Sequence, residues 1–599
     1  MAVAMNAEHD SCFALFDGDD GGALVLVDWL RVIRCMPPDD PADFFAALDA
    51  ARTAGCWSAV AADYSLGSRF EPGAATRQGE RAPLRAWVFA RAERLARSDL
   101  PSFLAARLAS LPEQQRVAGV AEVSPSVDEL MHAGQVERIH RWIADGDCYQ
   151  INLTFPIRLR VYGHPFALYA HLRERQPVRY GAYLSVPDET ILSFSPELFF
   201  ARSAPLVVTR PMKGTAARGR TPAEDAAQRA RLLASAKERA ENVMIVDLLR
   251  NDLGRLASPG KVRVTALCEA EAYPSLWQLV STITADLPEV ALADIFAALF
   301  PCGSITGAPK IRAMQLIAEL EKSPRGLYTG ALGWLAPNGD CRFNVAIRTL
   351  EVAADGQATL GVGSGIVADS DAGKEYRECL LKAQFVTAFD PGFELIETLR
   401  LDAGTYPLLE MHLDRLGKSA RALGFTCPLS AISAALANEA QRHRAGVFRV
   451  RLCLAHNGAF QIAATPLVDE RRQAVWRVVL ASERLPADDY LRRHKTTARA
   501  HYDRVLAQLA ATPEVFDALF VNTRGEVCEG ARCNIFVERA GVLLTPPLAC
   551  GLLGGVLRRS LLHAGRAVEH ILRVDDLRSP AALYVGNAVR GLLPARLDD

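Results

Sequence analysis

The chain has 599 residues, half of them hydrophobic, and a formal net charge of −1. That length exceeds what one core can serve and calls for two or more domains, while the neutral balance excludes the basic surface that nucleic-acid binding requires. The start lacks a basic run followed by an apolar one, apolar stretches such as Ala291–Phe300 are too short to cross a bilayer, and the thirteen cysteines show neither a CxxC pair nor a zinc spacing, so the composition reads as that of a cytoplasmic protein with reduced thiols.

Up to about residue 115, short apolar runs (Ala23 to Val27, Ala86 to Ala90) alternate with Asp/Gly/Pro turns and predict strands with a few helices between them. Ser126-Val-Asp-Glu129 is a capping box opening a helix with Val136, Ile139 and Ile143 on one face, ended at Gly146. Gly146-Asp-Cys-Tyr-Gln-Ile-Asn-Leu153 reads as turn then strand, and Ile191 to Phe194 as a strand running into Ser195-Pro-Glu197. Leu206 to Thr209, β-branched and bounded by prolines, predicts a short buried strand that delivers Lys213 onto a turn, with Pro211 and Gly214 stopping regular structure on either side. A lysine so held is a nucleophile only if burial or neighbouring charge lowers its pKa; otherwise it is an ordinary loop lysine.

Ser235 to Arg250 has a strong helical pattern, with Glu238 and Glu241 three apart on the face that continues through Ile245 and Leu248. Lys374 to Phe385 repeats the arrangement with Glu375, Glu378, Leu381, Lys382 and Phe385. Two helices each offering an ExxE pair could meet around Mg²⁺, although such pairs are common on solvated faces. Between the two helices lie Pro301-Cys-Gly-Ser-Ile-Thr-Gly-Ala-Pro-Lys-Ile-Arg312, able to present amides to an anion, and a strand-like alternation from Arg342 to Leu350 carrying Arg348, whose planar fork suits a carboxylate. Gly361-Val-Gly-Ser-Gly-Ile-Val367 is glycine-rich on a strand and lacks the spacing of a dinucleotide fingerprint.

Together these segments resemble the chorismate-utilising enzymes, most closely their aminodeoxychorismate synthase component I branch, densely over residues 120 to 390 and loosely before. The carrying motifs are Gly146 to Leu153, Ser195-Pro-Glu197, Pro211-Met-Lys-Gly-Thr215, Glu238-Arg-Ala-Glu-Asn242, Pro301 to Lys310 and Gly363-Ser-Gly-Ile-Val-Ala-Asp369. The resemblance implies a two-layered β-sandwich with helices. It also implies Mg²⁺ held mainly by Glu241 and Glu378 with Glu238 and Glu375 in support, and chorismate carboxylate binding by Arg348 and the amides around Gly363 and Gly365. Thr306, Lys382 and Gln278 join that substrate set. Lys213 would add at ring carbon 2 while Glu197 protonates the departing 4-hydroxyl, and ammonia would displace it. Gln278 stands where many relatives have a histidine, which removes a proton shuttle at that spot. No Cys/His/Glu glutaminase constellation is present, so ammonia would come from solution or from a separate glutamine amidotransferase subunit.

Phe389-Asp-Pro-Gly392 reads as a boundary, giving regions 1–115, 116–390 and 391–599. The last restarts with the strand Phe393 to Arg400, carries Val515 to Asn522 and Val527 onward as a hairpin, and places Gly551-Leu-Leu-Gly-Gly-Val-Leu-Arg-Arg559 at a helix start suited to a phosphate. It resembles the fold-type IV pyridoxal-phosphate enzymes, aminodeoxychorismate lyase among them, an α+β fold. The resemblance implies that Lys495 carries pyridoxal 5'-phosphate and takes up the carbon 4 proton, with Arg492, Arg493 and Arg499 able to depress its pKa. Glu529 would serve the pyridine nitrogen, and Arg415, the amides of Gly555 and Val556, and Asn587 the phosphate, in a unit able to form a homodimer. Chorismate would then become 4-aminobenzoate, the product of one half being the substrate of the other. The alternatives are an amino-acid transaminase or a degenerate docking domain in the second half. An isochorismate or salicylate synthase, which uses water, fits Lys213 poorly.

Overall fold

The computed structural model describes residues 12–71, 73–273, 276–467, 475–512, 514–578 and 582–598. They fall into two compact units. The first gathers the described residues up to Leu108 with Ser124–Arg160 and Tyr169–Thr387; the second gathers Ala109–Val123, Val161–Leu168 and the described residues from Ala388 on.

In the first unit the described strand pairings are antiparallel and run in two series. One passes from Ala23–Cys35 through Leu84–Leu95, Trp57–Ala62, Ala331–Leu335, Cys341–Val345, Leu198–Ser203 and Leu206–Arg210 to Leu276–Asp286. The other passes from Phe13–Asp17 through Ala182–Val186, Glu189–Ser193, Thr349–Val352 and Gln357–Ile366 to Gln150–Tyr162. They join where Phe13–Asp17 pairs with Ala23–Cys35. Alternation along Trp57–Ala62 shows how the layers form, since successive side chains point to opposite faces. Ala59 and Ala61 enter a core with Leu184 and Ile191 of the other series, while Val60 and Ala62 enter a core under helices, with Phe45, Leu249 and Phe296. Helices Glu129–Ala144 and Lys310–Leu320 cover the second series, packing Val136, Ile139 and Ile317 against Ile151 and Leu153. The result is a two-layered sandwich clad in helices.

Three local expectations are corrected. Leu206 is 43% exposed and its strand is fully buried only at Val207 and Thr209, and Lys213 lies within a further strand, Met212–Ala217, instead of on a turn. Arg348 breaks the alternation expected of it, sitting at φ +51° between Cys341–Val345 and Thr349–Val352. The helix expected to open at Ser126 is capped by Asp128, whose carboxylate accepts from Met131 N at 2.8 Å.

In the second unit, strands Leu395–Asp402, Val447–Leu454 and Phe460–Pro466 form an antiparallel sheet backed by helices Leu409–Leu423 and Leu429–Arg442. An eight-stranded mixed sheet follows, with Trp476–Leu485 parallel to both Val515–Asn522 and Gly591–Leu597. The linking chain bears Lys495, whose carbonyl accepts from Ile396 N at 2.9 Å. No helix among the described residues is long and apolar enough to cross a membrane.

Candidate functional sites

Lys213 is presented by a β-bulge. Met212 lies opposite Val280 and Thr215 opposite Gln278, so one extra residue is accommodated between them. Gly214 absorbs it at φ +91°, where a Cβ would also meet Glu238 Oε2 at 2.9 Å. Buried Asn242 clips the bulge. Its Nδ2 lies 3.4 Å from both Lys213 O and Leu279 O, and its Oδ1 accepts from Ser281 Oγ at 2.5 Å. In the sequence Asn242 is legible only as the end of the segment Glu238–Asn242.

Burial pushes the Lys213 amine below the ordinary lysine range; Glu197 opposes that shift most, and Lys382 adds to it. Glu197 is itself buried, and burial pushes its carboxyl up, against the Ser304 hydrogen bond and the Lys213 charge. Ser304 Oγ donates to Glu197 Oε1 at 2.8 Å, and Cys302 Sγ lies 3.2 Å from Ser304 Oγ. The serine was legible only as part of the loop Pro301 to Arg312. Among the described residues no ion pair joins Lys213 to Glu197.

Glu238 is raised by burial and then by the charge of Glu241, with Glu378 adding to it. Glu378 accepts from Lys382 Nζ at 2.9 Å, that amine also donates to Gly363 O at 2.8 Å, and Glu375 accepts from Ser370 Oγ at 2.9 Å. Among the described residues no three His, Cys, Asp or Glu side chains already stand in a ligating arrangement. The donor set is all carboxylate oxygen, which suits Mg²⁺, and beyond burial the charges of Glu241 and Glu378 add to the rise of Glu238, a repulsion a cation would relieve.

Arg348 makes no ion pair among the described residues, and burial lowers its pKa; its carbonyl accepts from Phe194 N at 2.9 Å, which ties it to the chain leading into Glu197. A guanidinium in that condition suits an anionic ligand. Thr306 Oγ1 lies 3.3 Å from Cys302 O and 3.2 Å from Gly303 O, and Gln278 Oε1 accepts from Thr215 at 3.1 Å. Gly363 and Gly365 sit opposite Thr154 and Asn152, where a Cβ would meet Leu153 O at 2.7 Å and Gln150 Nε2 at 2.3 Å.

The second unit holds a cavity of about 840 Å³ whose walls include Lys495, Arg415, Glu529, Gly555, Val556 and Asn587. Burial, with Arg415 and Arg499, lowers the Lys495 amine to about 8. Of the three neighbouring arginines able to help, Arg499 acts, while Arg492 donates to Pro486 O and Arg493 lies over the Tyr490 ring. Burial raises the Glu529 carboxyl, which accepts from Tyr502 Oη at 2.7 Å and from Leu553 N at 3.1 Å. Arg415 grips Glu397 through two bonds of 2.8 and 2.6 Å, and His412 Nδ1 lies 2.6 Å from the same carboxylate. Of the expected phosphate donors, Gly555 N donates to Leu553 O at 2.8 Å, Asn587 bonds to Arg532 O, Cys533 Sγ and the amides of Val589 and Arg590, and Val556 is the first residue of its helix. A buried low-pKa amine, a carboxyl across the cavity and a volume for cofactor plus substrate fit pyridoxal phosphate.

The sequence pattern of the family described as chorismate binding enzyme matches residues 41–388, and that of amino-transferase class IV matches residues 394–597. Aminodeoxychorismate synthase component 1 of Bacillus subtilis is 45% identical over 249 residues, 41% of this chain and 53% of that protein. The protein of the same name from Escherichia coli is 43% identical over 242 residues, 40% of this chain and 53% of that protein. This chain thus spans about half the length of the curated relatives it matches. Among solved structures, anthranilate synthase component I from Streptococcus pneumoniae superposes with a TM-score of 0.52 at 25% identity, covering 64% of this chain and 93% of that one.

Proposed function

This chain belongs to the chorismate binding enzymes, and from that membership we propose that it makes 4-aminobenzoate from chorismate in two steps. The first unit would replace the 4-hydroxyl of chorismate by an amino group, giving 4-amino-4-deoxychorismate; the second would expel pyruvate from that product. The observation that carries the reading is the pair Lys213 and Glu197, one pushed below its ordinary range and the other above it, both by burial. Each shift favours the neutral form, so the pair offers a nucleophile beside an acid.

Arg348 would bind one carboxylate of chorismate, with Thr306, Gln278, Lys382 and the backbone of Gly363 and Gly365 around the ring. Lys213 Nζ would bond to ring carbon 2 as the 4-hydroxyl leaves with a proton from Glu197. Ammonia would then bond to carbon 4 as the bond to Lys213 breaks. Ser304 would hold the Glu197 carboxyl in line for that transfer. Glu241 and Glu378, supported by Glu238 and Glu375, would hold Mg²⁺, which when bound neutralises the ring carboxylate. The relatives are named as component 1, in keeping with ammonia delivered by a separate glutamine amidotransferase subunit.

In the second unit Lys495 would carry pyridoxal phosphate, which when bound supplies an electron sink. The amine, at about 8, is partly neutral near neutral pH and able to move the carbon 4 proton. Glu529, steadied by Tyr502 and the Leu553 amide, would serve the ring nitrogen, and Arg415 with the Val556 amide the phosphate; the unit would form a homodimer.

Chorismate, Mg²⁺ and ammonium supplied with and without pyridoxal phosphate test the whole reading. The cofactor should be required for 4-aminobenzoate and an equal amount of pyruvate, and without it 4-amino-4-deoxychorismate should accumulate. Formation of 2-aminobenzoate would overturn the first step. The class IV match also admits an amino-acid transaminase, which a keto-acid acceptor would reveal by conversion to an amino acid.

A further inference from the structure

One wall of the cavity around Lys495 comes from far earlier in the chain. The short helix Glu113–Arg116 groups with the second unit, and Glu113, Gln114, Arg116 and Val117 line the cavity. It is tied down rather than loosely apposed. Gln114 Nε2 donates to Glu483 at 2.5 Å, and Arg504 bridges Glu113 at 2.5 Å and Glu483 at 3.1 Å. Arg504 sits on helix Ala500–Leu509, which also carries Tyr502 onto Glu529. The wall therefore rests on the helix that braces the cofactor end of the cavity.

Its charge is what the cavity otherwise leaves unbalanced. Of the lining acids, Glu113 pairs with Arg504, Asp489 with Arg492 at 3.9 Å, Asp503 with Arg499 at 3.0 Å, and Glu529 is held by Tyr502. Among the described residues Arg116 donates only to backbone carbonyls of its own segment, Leu111 O at 2.9 Å and Ala109 O at 2.7 Å. Arg449 and Arg451, alternate residues on the strand Val447–Leu454 and so on one face of it, also line the cavity and form no ion pair among the described residues. Arg116, Arg449 and Arg451 are exposed to solvent and, like Arg532 in the same lining, form no ion pair among the described residues, which is more positive charge than one cofactor phosphate at Arg415 requires.

We propose that the helix Glu113–Arg116 is a working wall of this cavity and that Arg116 on it is a specificity-determining residue, selecting a substrate that carries a second carboxylate. The inference rests on the reading of the second unit as a pyridoxal-phosphate enzyme and deepens it: a mono-carboxylate amino acid would leave Arg116 without a partner, whereas 4-amino-4-deoxychorismate has two carboxylates. Loss of one hydrogen-bonded charge of this kind is worth about a tenfold change in binding.

The full-length chain, loaded with pyridoxal phosphate, is titrated with isophthalate and with benzoate while the visible absorbance of the cofactor is followed, so that only this cavity is read. The wild type should bind the dianion more tightly than the monoanion. Arg116→Ala should lose about tenfold of that preference and Arg116→Lys should keep most of it, with cofactor absorbance before titration unchanged. With 4-amino-4-deoxychorismate, Arg116→Ala should raise KM about tenfold and move kcat little. Equal binding of both probes by the wild type, or an unaltered preference in Arg116→Ala, overturns the proposal. If the preference depends on Arg116 but no pyruvate is released, the lyase reading falls and the assignment of Arg116 stands.

Discussion

Loss of water moves Lys213 and Glu197 in opposite directions, because burial disfavours whichever form is charged. The consequence is a pH profile with assigned limbs. Lys213 must lose its proton, so ammonium-dependent chorismate consumption should rise with pH through its lowered value. Glu197 must keep its proton, so the rate should fall as pH passes its raised value. Glu197→Gln, measured as kcat/KM against pH, should slow the reaction about 10²- to 10⁴-fold and remove the alkaline limb. Lys213→Ala should cost at least about 10³-fold in the same assay while leaving the melting temperature within a few degrees. A variant that turns over normally would remove the covalent route.

The bulge in Met212–Ala217 is the element that makes the lysine usable, and two residues set its shape. Gly214→Ala should be strained twice, by the left-handed backbone and by contact with Glu238, and should cost about 1–2 kcal/mol in denaturant unfolding. Asn242→Ala leaves the bulge unclipped, and its expected signature is a fall in kcat with little change in chorismate affinity. In the second unit, Glu397 ties the strand Leu395–Asp402 to the helix Leu409–Leu423 through Arg415 and His412. Burial raises its pKa, yet the Arg415 charge and the hydrogen bonds from His412 and Arg415 hold it down to about 2 from 4.5. A depressed carboxyl stabilises the fold above its unfolded value, so roughly 3 kcal/mol should be present above pH 4.5 and lost as pH falls toward about 2. Glu397→Gln should remove about 3–5 kcal/mol at pH 7, read as a lower urea midpoint, because it leaves a buried guanidinium without its anion.

At the scale of the whole molecule, the two proposed chemistries would draw on separate machinery within one chain. Lys213→Ala should abolish amination yet leave release of pyruvate from supplied 4-amino-4-deoxychorismate intact, and Lys495→Ala should do the reverse. The product balance of the two variants, alone and mixed, checks this directly. Chelation of Mg²⁺ should stop the first step and spare the second. Failure of either variant to complement the other would show that the halves are not independently competent.

Residue order along the chain was enough for the broad fold, because strands, helix starts and glycine turns are written in local periodicity and side-chain type, but not for the assignment of Ala109–Val123 and Val161–Leu168 to the second unit, which cuts across the regions 1–115 and 116–390. It misread Lys213 as sitting on a turn, since a bulge exists only against a partner strand, and that partner, Leu276–Asp286, lies more than sixty residues on. Of the sequence neighbours Arg492, Arg493 and Arg499 that could depress the Lys495 pKa, Arg499 does so, whereas Arg415, eighty residues earlier, acts more strongly because the fold brings it there. The hydrogen-bond partners of Asn587 and of the Gly555 amide, the clip at Asn242 and the wall at Glu113–Arg116 belong to the tertiary structure alone: hydrogen bonds and burial depend on distance in space, and short-range patterns carry no information about it.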